Sequence, residues 1–588
     1  MENNKKDPEI FGVISISEKT PATPTTFSFW SKDDEKIPLE PGRIVTAIHP
    51  ENNELKAIGI VDNLYATRDI ASPLDSYYSH GYGNPHQEMA THQDVIRVAS
   101  VEVVRRSDGK NQPVSGSWHV RFAEAKEIEQ AYGADIKPEK ALLAGFALDA
   151  YEKPVPIKLD SRFVLGYEGA HVNIAGASGL ATKTSYALFL IYSVLSYSKK
   201  HDEKVAAVAF NVKESDLLRI DNLPKGGWKE CYEKITQKFG SDAKLQEVLW
   251  LFSQENGIDP YEYIENNRLS FYAPAKMGNS KETQSVKLHG AKLKPFYYGL
   301  ADLTHTGDEV SLEVLFDRED LDEKLGGVLH AVIDYLQSRP GKSFDVLIRD
   351  LWKDVEEAKG YEVKIGDSKQ HKATVIRFLM RLQHAVYHQL QGLVTREDAE
   401  GKPIPIEDIK KDELWVIDIN RLHDKGQRLT FLSIIDRLSR LLEAKRNGEK
   451  ETEFYKGGPK ILLDNFPDKV IVFVDELNKF APATSQKVPL RSRIIDITAR
   501  GRSYGLSLIG AQQLASQVEE QVLANTSTFL IGRSHTVEIK NKPYEWLKQG
   551  LKDKACILPK GQMFLWHAVH ARPALINFPI PLHQLLEE

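Results

Sequence analysis

A chain of 588 residues, 41% hydrophobic and 27% charged, can bury large cores and is long enough for roughly three or four domain-sized units. Lys and Arg number 77 against 83 Asp and Glu, a net charge of −6, so no basic field over the whole molecule draws it to nucleic acid and any such contact must be local. Two cysteines, Cys231 and Cys556, lacking metal-ligand neighbours, exclude a disulfide framework and suit a reducing cytoplasm. The longest apolar run, 187-ALFLIYSVL-195, falls far short of the ~20 residues that span a bilayer, so the expectation is a cytoplasmic protein with no membrane partner.

From about residue 9 to 120 the chain reads as short strands between turns: FGVISIS, TTFSFWS, GRIVTAIHP, LKAIGIVDNLYA, DVIRVASVEVVRR and SWHVRFAEA. Their alternation and Gly/Pro punctuation predict a small β-barrel, assigned to residues 1–155. The Gly-, His- and Tyr-rich stretch 71–93 is an excursion from it, and His80, His86 and His92 match no metal-ligand spacing.

Beyond about residue 160 strands alternate with helices, the signature of a mostly parallel, helix-covered sheet. The strand candidates are 171–176, 205–212, 414–419, 469–475, 506–511 and 527–532, several of them unbroken apolar runs as strands buried on both faces should be. Residues 156–215 and 411–588 form this α/β core, and 216–410, charge-rich and largely helical, is an insertion beside or over the sheet.

The first of these strands runs into Gly176-Ala177-Ser178-Gly179-Leu180-Ala181-Thr182-Lys183-Thr184-Ser185 and then an apolar helix. A phosphate loop of the form G-x-x-x-x-G-K-[ST] would need glycines at 177 and 182, where Ala177 and Thr182 stand. The chemical parts nevertheless remain. A helix N-terminus offers N–H donors to phosphate, as do Gly176, Ser178, Gly179 and Thr182 by position; the Lys183 ammonium reaches β- and γ-phosphates, and the Thr184 hydroxyl, with Ser185 beside it, faces Mg²⁺.

In 469-KVIVFVDELNKFAP-482 an apolar strand ends in Asp475-Glu476, at the edge where open α/β sheets bind ligands. Adjacent carboxylates serve the two roles that ATP hydrolysis demands, one on the Mg²⁺ shell and one polarising the attacking water. Against this stands the reading of the pair as an acidic cap on the next helix. Downstream, 491-RSRIIDITARGRSYGLSLIGAQQ-513 carries four arginines and a strand ending in Gln512-Gln513. Arg500 and Arg502 flank Gly501 where the helix is expected to end, a place suited to an arginine finger, whereas Arg491 and Arg493 read equally well as paired surface residues. Gln512, at the strand tip, is the expected γ-phosphate sensor.

These motifs, GASGLATKTS, FVDELNKFAP and ARGRSYGLSLIGAQQ, with the barrel segments PTTFSFWS, GRIVTAIHP and AIGIVDNL and the tail 560-KGQMFLWHAVHARPALINFPIP-581, resemble the HerA-like hexameric ATPases of the HerA/FtsK branch of RecA-like P-loop motors, over nearly the whole chain. The resemblance implies a RecA-like ATPase core behind a HAS-like barrel, ATP and Mg²⁺ as cofactors, a homo-hexamer with DNA through its central channel, and a separate effector such as a nuclease or a sirtuin-type NADase in anti-phage defence or DNA processing. It also implies that Lys183 and Thr184 bind phosphate and metal, Asp475 the metal, Glu476 the water, and Arg500 or Arg502 the neighbouring subunit's nucleotide. The chain departs from the family at Leu477-Asn478, at Gln513-Leu514 and at Asn211, where an acid is usual. DNA contact is expected from 276–298, with five lysines, or from 421–428. An ATP-regulated ring scaffold that controls an effector with little translocation is the alternative.

Overall fold

The computed structural model describes residues 8–585 except 19, 32–35, 68–95, 167–168, 178–182, 214–215, 240–242, 288, 305–311, 313–314, 317–322, 340, 455–458 and 484–488. His80, His86 and His92 therefore lie outside the described residues. The chain divides into two compact units: Met1–Pro138 with Leu143–Lys158 and Ile531–Asn577, and Glu139–Leu142 with Leu159–Leu530 and Phe578–Glu588.

In the first unit, β1 (Gly12–Ser15), β2 (Thr26–Ser31), β3 (Ile44–His49), β4 (Asn52–Thr67), β5 (Ile96–Arg106) and β6 (His119–Phe122) close into a barrel in the order β1-β2-β5-β4-β3-β6. Closure is possible because period-two alternation gives every strand one apolar face. In β2, Phe27 and Phe29 point inward at 1% and 0% exposure while Trp30 beside them faces out. With β6 paired back onto β1, no strand edge is left open. The same unit carries β7 (Ala141–Leu148), β8 (Pro154–Asp160) and the hairpin of β22 (Gln562–His567) and β23 (Ala574–Asn577), in the order β22-β23-β7-β8. The expected barrel is thus present, but 531–577 sorts with it rather than with the α/β core.

The second unit is built on a sheet of β11 (Leu269–Lys276), β16 (Leu414–Asp418), β10 (Val205–Asn211), β19 (Lys469–Asp475), β20 (Leu506–Gln512), β9 (Ala170–Ala175) and β21 (Thr526–Ile531), in that order. The pairs from β11 through β9 are parallel. Every residue of β9, β10 and β20 is buried, and in β10 this shows as the continuous apolar run Val205–Phe210. The helix Lys183–Lys200 and the helix Asp424–Arg446 are likewise buried along most of their lengths.

Segment 216–410 holds the expected helices, among them Glu323–Ser338, Phe344–Glu357 and Lys372–His384, but it is not only helical. It supplies β11, β12 (Asn279–Thr283) and β13 (Leu293–Phe296), with β11 extending the parallel sheet beside β16, and a separate hairpin, β14 (Glu362–Ile365) with β15 (Ser368–His371). Phe344, Leu351 and Phe378 belong to the same apolar cluster as Phe210 and Val472 of the sheet. A second small hairpin, β17 (Glu451–Thr452) with β18 (Ile461–Leu462), completes the strands. Among the described residues no helix is long and apolar enough to cross a membrane.

Candidate nucleotide site

The sheet register brings the sequence motifs to one edge. Asp475, the last residue of β19, lies opposite Ala511 of β20, and the next residue of β20, Gln512, lies opposite Ala175 of β9. Gly176 follows immediately, its N–H donating to the Gln512 carbonyl at 3.3 Å. Three neighbouring parallel strands therefore end together, and the expected phosphate loop, the acid pair and Gln512-Gln513 lie at these ends.

Lys183 opens the helix Lys183–Lys200 and is only 7% exposed. Its Nζ folds back to donate to the Gly176 carbonyl at 2.9 Å. Burial pulls its pKa down, and the Asp475 and Glu476 carboxylates oppose that shift. Thr184 is half-buried and Ser185 buried; the Ser185 hydroxyl donates to Gln584 Oε1 at 2.6 Å. Ser178, Gly179 and Thr182, the remaining residues of the expected cradle, lie outside the described residues.

The Asp475 carboxyl is pushed up to about 6, chiefly by burial; the Lys183 cation lowers it and Glu476 raises it further. Glu476 is 6% exposed and sits in the left-handed region at φ 57°, ψ 50°. A non-glycine residue there costs about 1–2 kcal/mol, strain of the sort that collects at functional sites. Its backbone N–H donates to Asp475 Oδ1 at 2.9 Å, so the left-handed turn aims the two carboxyls differently. Glu476 Oε1 accepts from Lys213 Nζ at 2.7 Å and from Gln513 Nε2 at 3.3 Å.

Lys213 carries no motif of its own, and Gln513 stands out in the sequence only within the Gln512-Gln513 strand end and as a departure from the family pattern. Gln512, the expected sensor, is fully buried and forms a reciprocal amide pair with Asn173 of β9: Gln512 Nε2 donates to Asn173 Oδ1 at 2.7 Å and Asn173 Nδ2 donates to Gln512 Oε1 at 3.4 Å. The structure thus brings Gln513, rather than the Gln512 amide, to the carboxylates. What separates them is the end of the strand: Gln512 is the last residue of β20 and Gln513 lies in the bend just beyond it.

The helix bearing the arginines runs Pro489–Tyr504, so it passes through Gly501 instead of ending there. It stops at Gly505, whose φ is +96°. Arg500 is exposed and pairs with Asp496 one turn back at 3.0 Å; Arg502 is exposed near the helix end. The side chains of Arg491 and Arg493 are outside the described residues.

His171 fastens this helix to the sheet. Its Nδ1 accepts from the Leu508 N–H at 3.0 Å, and its Nε2 lies 3.0 Å from the Thr498 carbonyl, so the ring is neutral with the proton on Nε2. Burial lowers its pKa to about 4. Between that value and the 6.5 of an exposed ring, the unfolded chain binds more protons than the folded one. Stability therefore falls on acidification through this window, by about 2 kcal/mol between pH 7 and pH 5 from this group. Urea midpoints at the two pH values measure it, and His171→Asn, which tolerates the left-handed backbone at φ 70°, should show a smaller pH dependence.

The lysines expected to meet DNA are partly committed elsewhere. Lys287 is buried in an ion pair with Asp221 and lies 3.6 Å from the Phe271 ring centroid. Lys276 pairs with Glu282 at 3.1 Å, and Lys294 lies over Tyr272. Lys281 and Lys292 are exposed. In 421–428, Lys425 is buried and donates to the Leu315 carbonyl at 3.1 Å, leaving Arg421 exposed. Among the described residues no group of His, Cys, Asp or Glu is arranged to hold a metal by itself.

No protein-family profile matches the sequence, and no curated protein matches it. Solved structures do match. The bacterial conjugative coupling protein TrwBdeltaN70 is 12% identical at a TM-score of 0.40, covering 77% of this chain and 92% of its own. The plasmid coupling protein TrwB in complex with the ATP analogue ADPNP is 12% identical at a TM-score of 0.39, covering 78% and 92%. The genome packaging NTPase B204 from Sulfolobus turreted icosahedral virus 2 with ATP-gammaS is 13% identical at a TM-score of 0.20, covering 30% and 72%. Likeness of this degree leaves function to the site itself.

Proposed function

We propose that the chain is a Mg·ATP-hydrolysing DNA translocase that works as a homo-hexamer around DNA, alongside a separate effector protein of the nuclease or sirtuin-type NADase kind in DNA processing or anti-phage defence. The observation that carries the ATPase reading is the convergence of Lys183, Asp475 and Glu476 on neighbouring strand ends. The hexamer, the channel and the effector rest on the sequence resemblance.

The residues fit a metal–nucleotide. The Lys183 ammonium is buried with a backbone carbonyl as its hydrogen-bond partner, a contact a phosphate oxygen can replace. The Asp475 carboxyl has a raised proton affinity because burial leaves it short of positive charge, which a divalent cation supplies. Bound Mg²⁺ would neutralise β- and γ-phosphate oxygens, with Thr184 and Asp475 as its protein ligands. Lys183 and the cradle residues Gly176, Ser178, Gly179, Thr182 and Ser185 hold the phosphates. Glu476 takes the proton of the attacking water as its oxygen bonds to the γ-phosphorus and the bond to the β–γ bridging oxygen breaks, ADP leaving with that electron pair. Arg500 or Arg502, exposed at the end of their helix, act on the nucleotide of an adjacent subunit.

The second reading, an ATP-regulated ring scaffold, is favoured by one observation: Glu476 Oε1 is already held by Lys213 and Gln513, an arrangement suited to slow turnover. Phosphate release measured with and without duplex DNA, across salt concentration, separates the two. A translocase shows stimulation that fades as salt rises, by counterion release; a scaffold binds nucleotide and shows none.

A further inference from the structure

We infer that Lys213 is the γ-phosphate-sensing residue of this site: it pairs with Glu476 when the site is empty or holds a diphosphate, and moves to the terminal phosphate when a nucleoside triphosphate binds. The inference rests on the nucleotide reading above and adds a role that Gln512, engaged with Asn173, is not placed to perform.

Lys213 lies two residues past the end of β10, at a firmly held point: Asn211 Nδ2 donates to Asp418 Oδ1 at 2.8 Å, the Asn211 carbonyl accepts from the Ile419 N–H at 3.0 Å, and Val212 is 2% exposed. The base of the side chain is fixed while its end is not, since the Lys213 side chain is 41% exposed. Its partner is the reverse, a buried carboxylate on a constrained left-handed backbone. In such a pair the lysine is the member that can move, having a flexible stem and a compact charge.

Position follows from the sheet order. β10 flanks β19 on the side away from β9, so Lys213 approaches Glu476 from the flank opposite Lys183. Its Nζ lies 2.7 Å from Glu476 Oε1, beside the acid pair at the end of β19 where the metal–phosphate is proposed to sit. Among the described residues the site brings together two cations, Lys183 and Lys213, and two acids, Asp475 and Glu476. Mg²⁺ with a fully ionised ATP adds two negative charges, and the terminal phosphate concentrates negative charge on three oxygens. Of these two lysines, Lys213, with its side chain 41% exposed, is the one able to swing toward them.

Gln513 makes the exchange workable. It donates to the same Glu476 oxygen from the end of β20, so when the ammonium leaves, a neutral donor still holds the carboxylate's direction. Glu476 then keeps its orientation through Gln513 after its ammonium partner has left, and this happens only with a γ-phosphate present. Lys213 is in this account a positioning residue for Glu476 and a determinant of triphosphate over diphosphate binding.

The test is equilibrium binding of fluorescent ADP and of a fluorescent non-hydrolysable ATP analogue, each with Mg²⁺, to the full-length protein and to Lys213→Ala, Lys213→Gln and Lys213→Arg. The expected result is that Ala and Gln lower the triphosphate-to-diphosphate affinity ratio by at least ~fivefold, with Arg restoring most of it, since one charge-assisted contact to phosphate is lost. An unchanged ratio in both neutral variants overturns the inference. Because Gln keeps most of the stem, a folding defect confined to Ala leaves the test intact. If the unmodified protein binds neither nucleotide, the nucleotide reading itself fails; if it binds both and the ratio is indifferent to Lys213, only the sensing role fails.

Discussion

Lys183→Ala is expected to abolish nucleotide binding and ATP turnover together, whereas Glu476→Gln is expected to keep binding and lose turnover by at least ~100-fold. The two differ because the groups act at different stages. Lys183 is a buried ammonium whose hydrogen bond runs to the Gly176 carbonyl, so it is held where a phosphate would lie, and its removal takes away the main positive charge of the cradle. Glu476 is set by its left-handed backbone and by Lys213 and Gln513, and in the proposed reaction it acts only when water attacks. The amide introduced by Glu476→Gln would keep the shape of the side chain but could not accept the proton. Phosphate release and nucleotide binding, measured on the same preparations, check both halves. Turnover retained in either variant would remove that residue from the mechanism.

Gly505→Ala is expected to destabilise the larger unit by about 2–4 kcal/mol, read from its urea midpoint. At φ +96° the backbone is one that L side chains rarely adopt, and a Cβ there would lie 2.4 Å from the Asp468 carbonyl oxygen, a backbone atom with no room to retreat. Gly505 is the joint between the helix Pro489–Tyr504 and β20, and its carbonyl accepts from the Val470 N–H at 2.9 Å at the start of β19. Strain introduced there is transmitted along the two strands whose far ends carry Asp475 and Gln513. Loss of stability should therefore come with weaker nucleotide binding, although residue 505 lies at the opposite edge of the sheet from the site. A variant as stable as the parent would show that the turn can relax into a different geometry.

The six core strands expected from sequence appear within one residue of their expected ends, because apolar runs such as Val205–Phe210 and Val470–Val474 leave little choice of conformation. The barrel was legible for a related reason: alternation as regular as that of Thr26–Ser31 has few uses other than a sheet with one buried face. What escaped was long-range pairing. β11 contains Pro274 and lies within a charged, helical segment, and only its parallel match to β16 makes it a strand of the sheet. Residues 531–577 gave no local sign that they would sort with a barrel begun hundreds of residues earlier.

At the site, the residues on strand ends could be anticipated, and those reaching in from the side could not. Lys213 sits in a stretch with no pattern, and its importance comes from β10 lying next to β19. Gln512 and Gln513 are chemically identical, and their different fates depend on where β20 ends, Gln512 being its last residue and Gln513 lying just beyond it. The helix end misplaced at Gly501 has a similar origin. Gly501 is accommodated inside the helix because the carbonyl of Leu506 would lie 3.0 Å from any Cβ there, a packing demand rather than a stop signal.

The central claim is that the carboxyl ends of β9, β19 and β20 form a Mg²⁺-dependent ATP site. Equilibrium titration of the purified protein with a fluorescent ATP analogue, with Mg²⁺ and then with EDTA, measures it most directly. Saturable binding that weakens on chelation and disappears in Lys183→Ala is the result expected. Binding that is absent, or that is indifferent to both Mg²⁺ and Lys183, would contradict it.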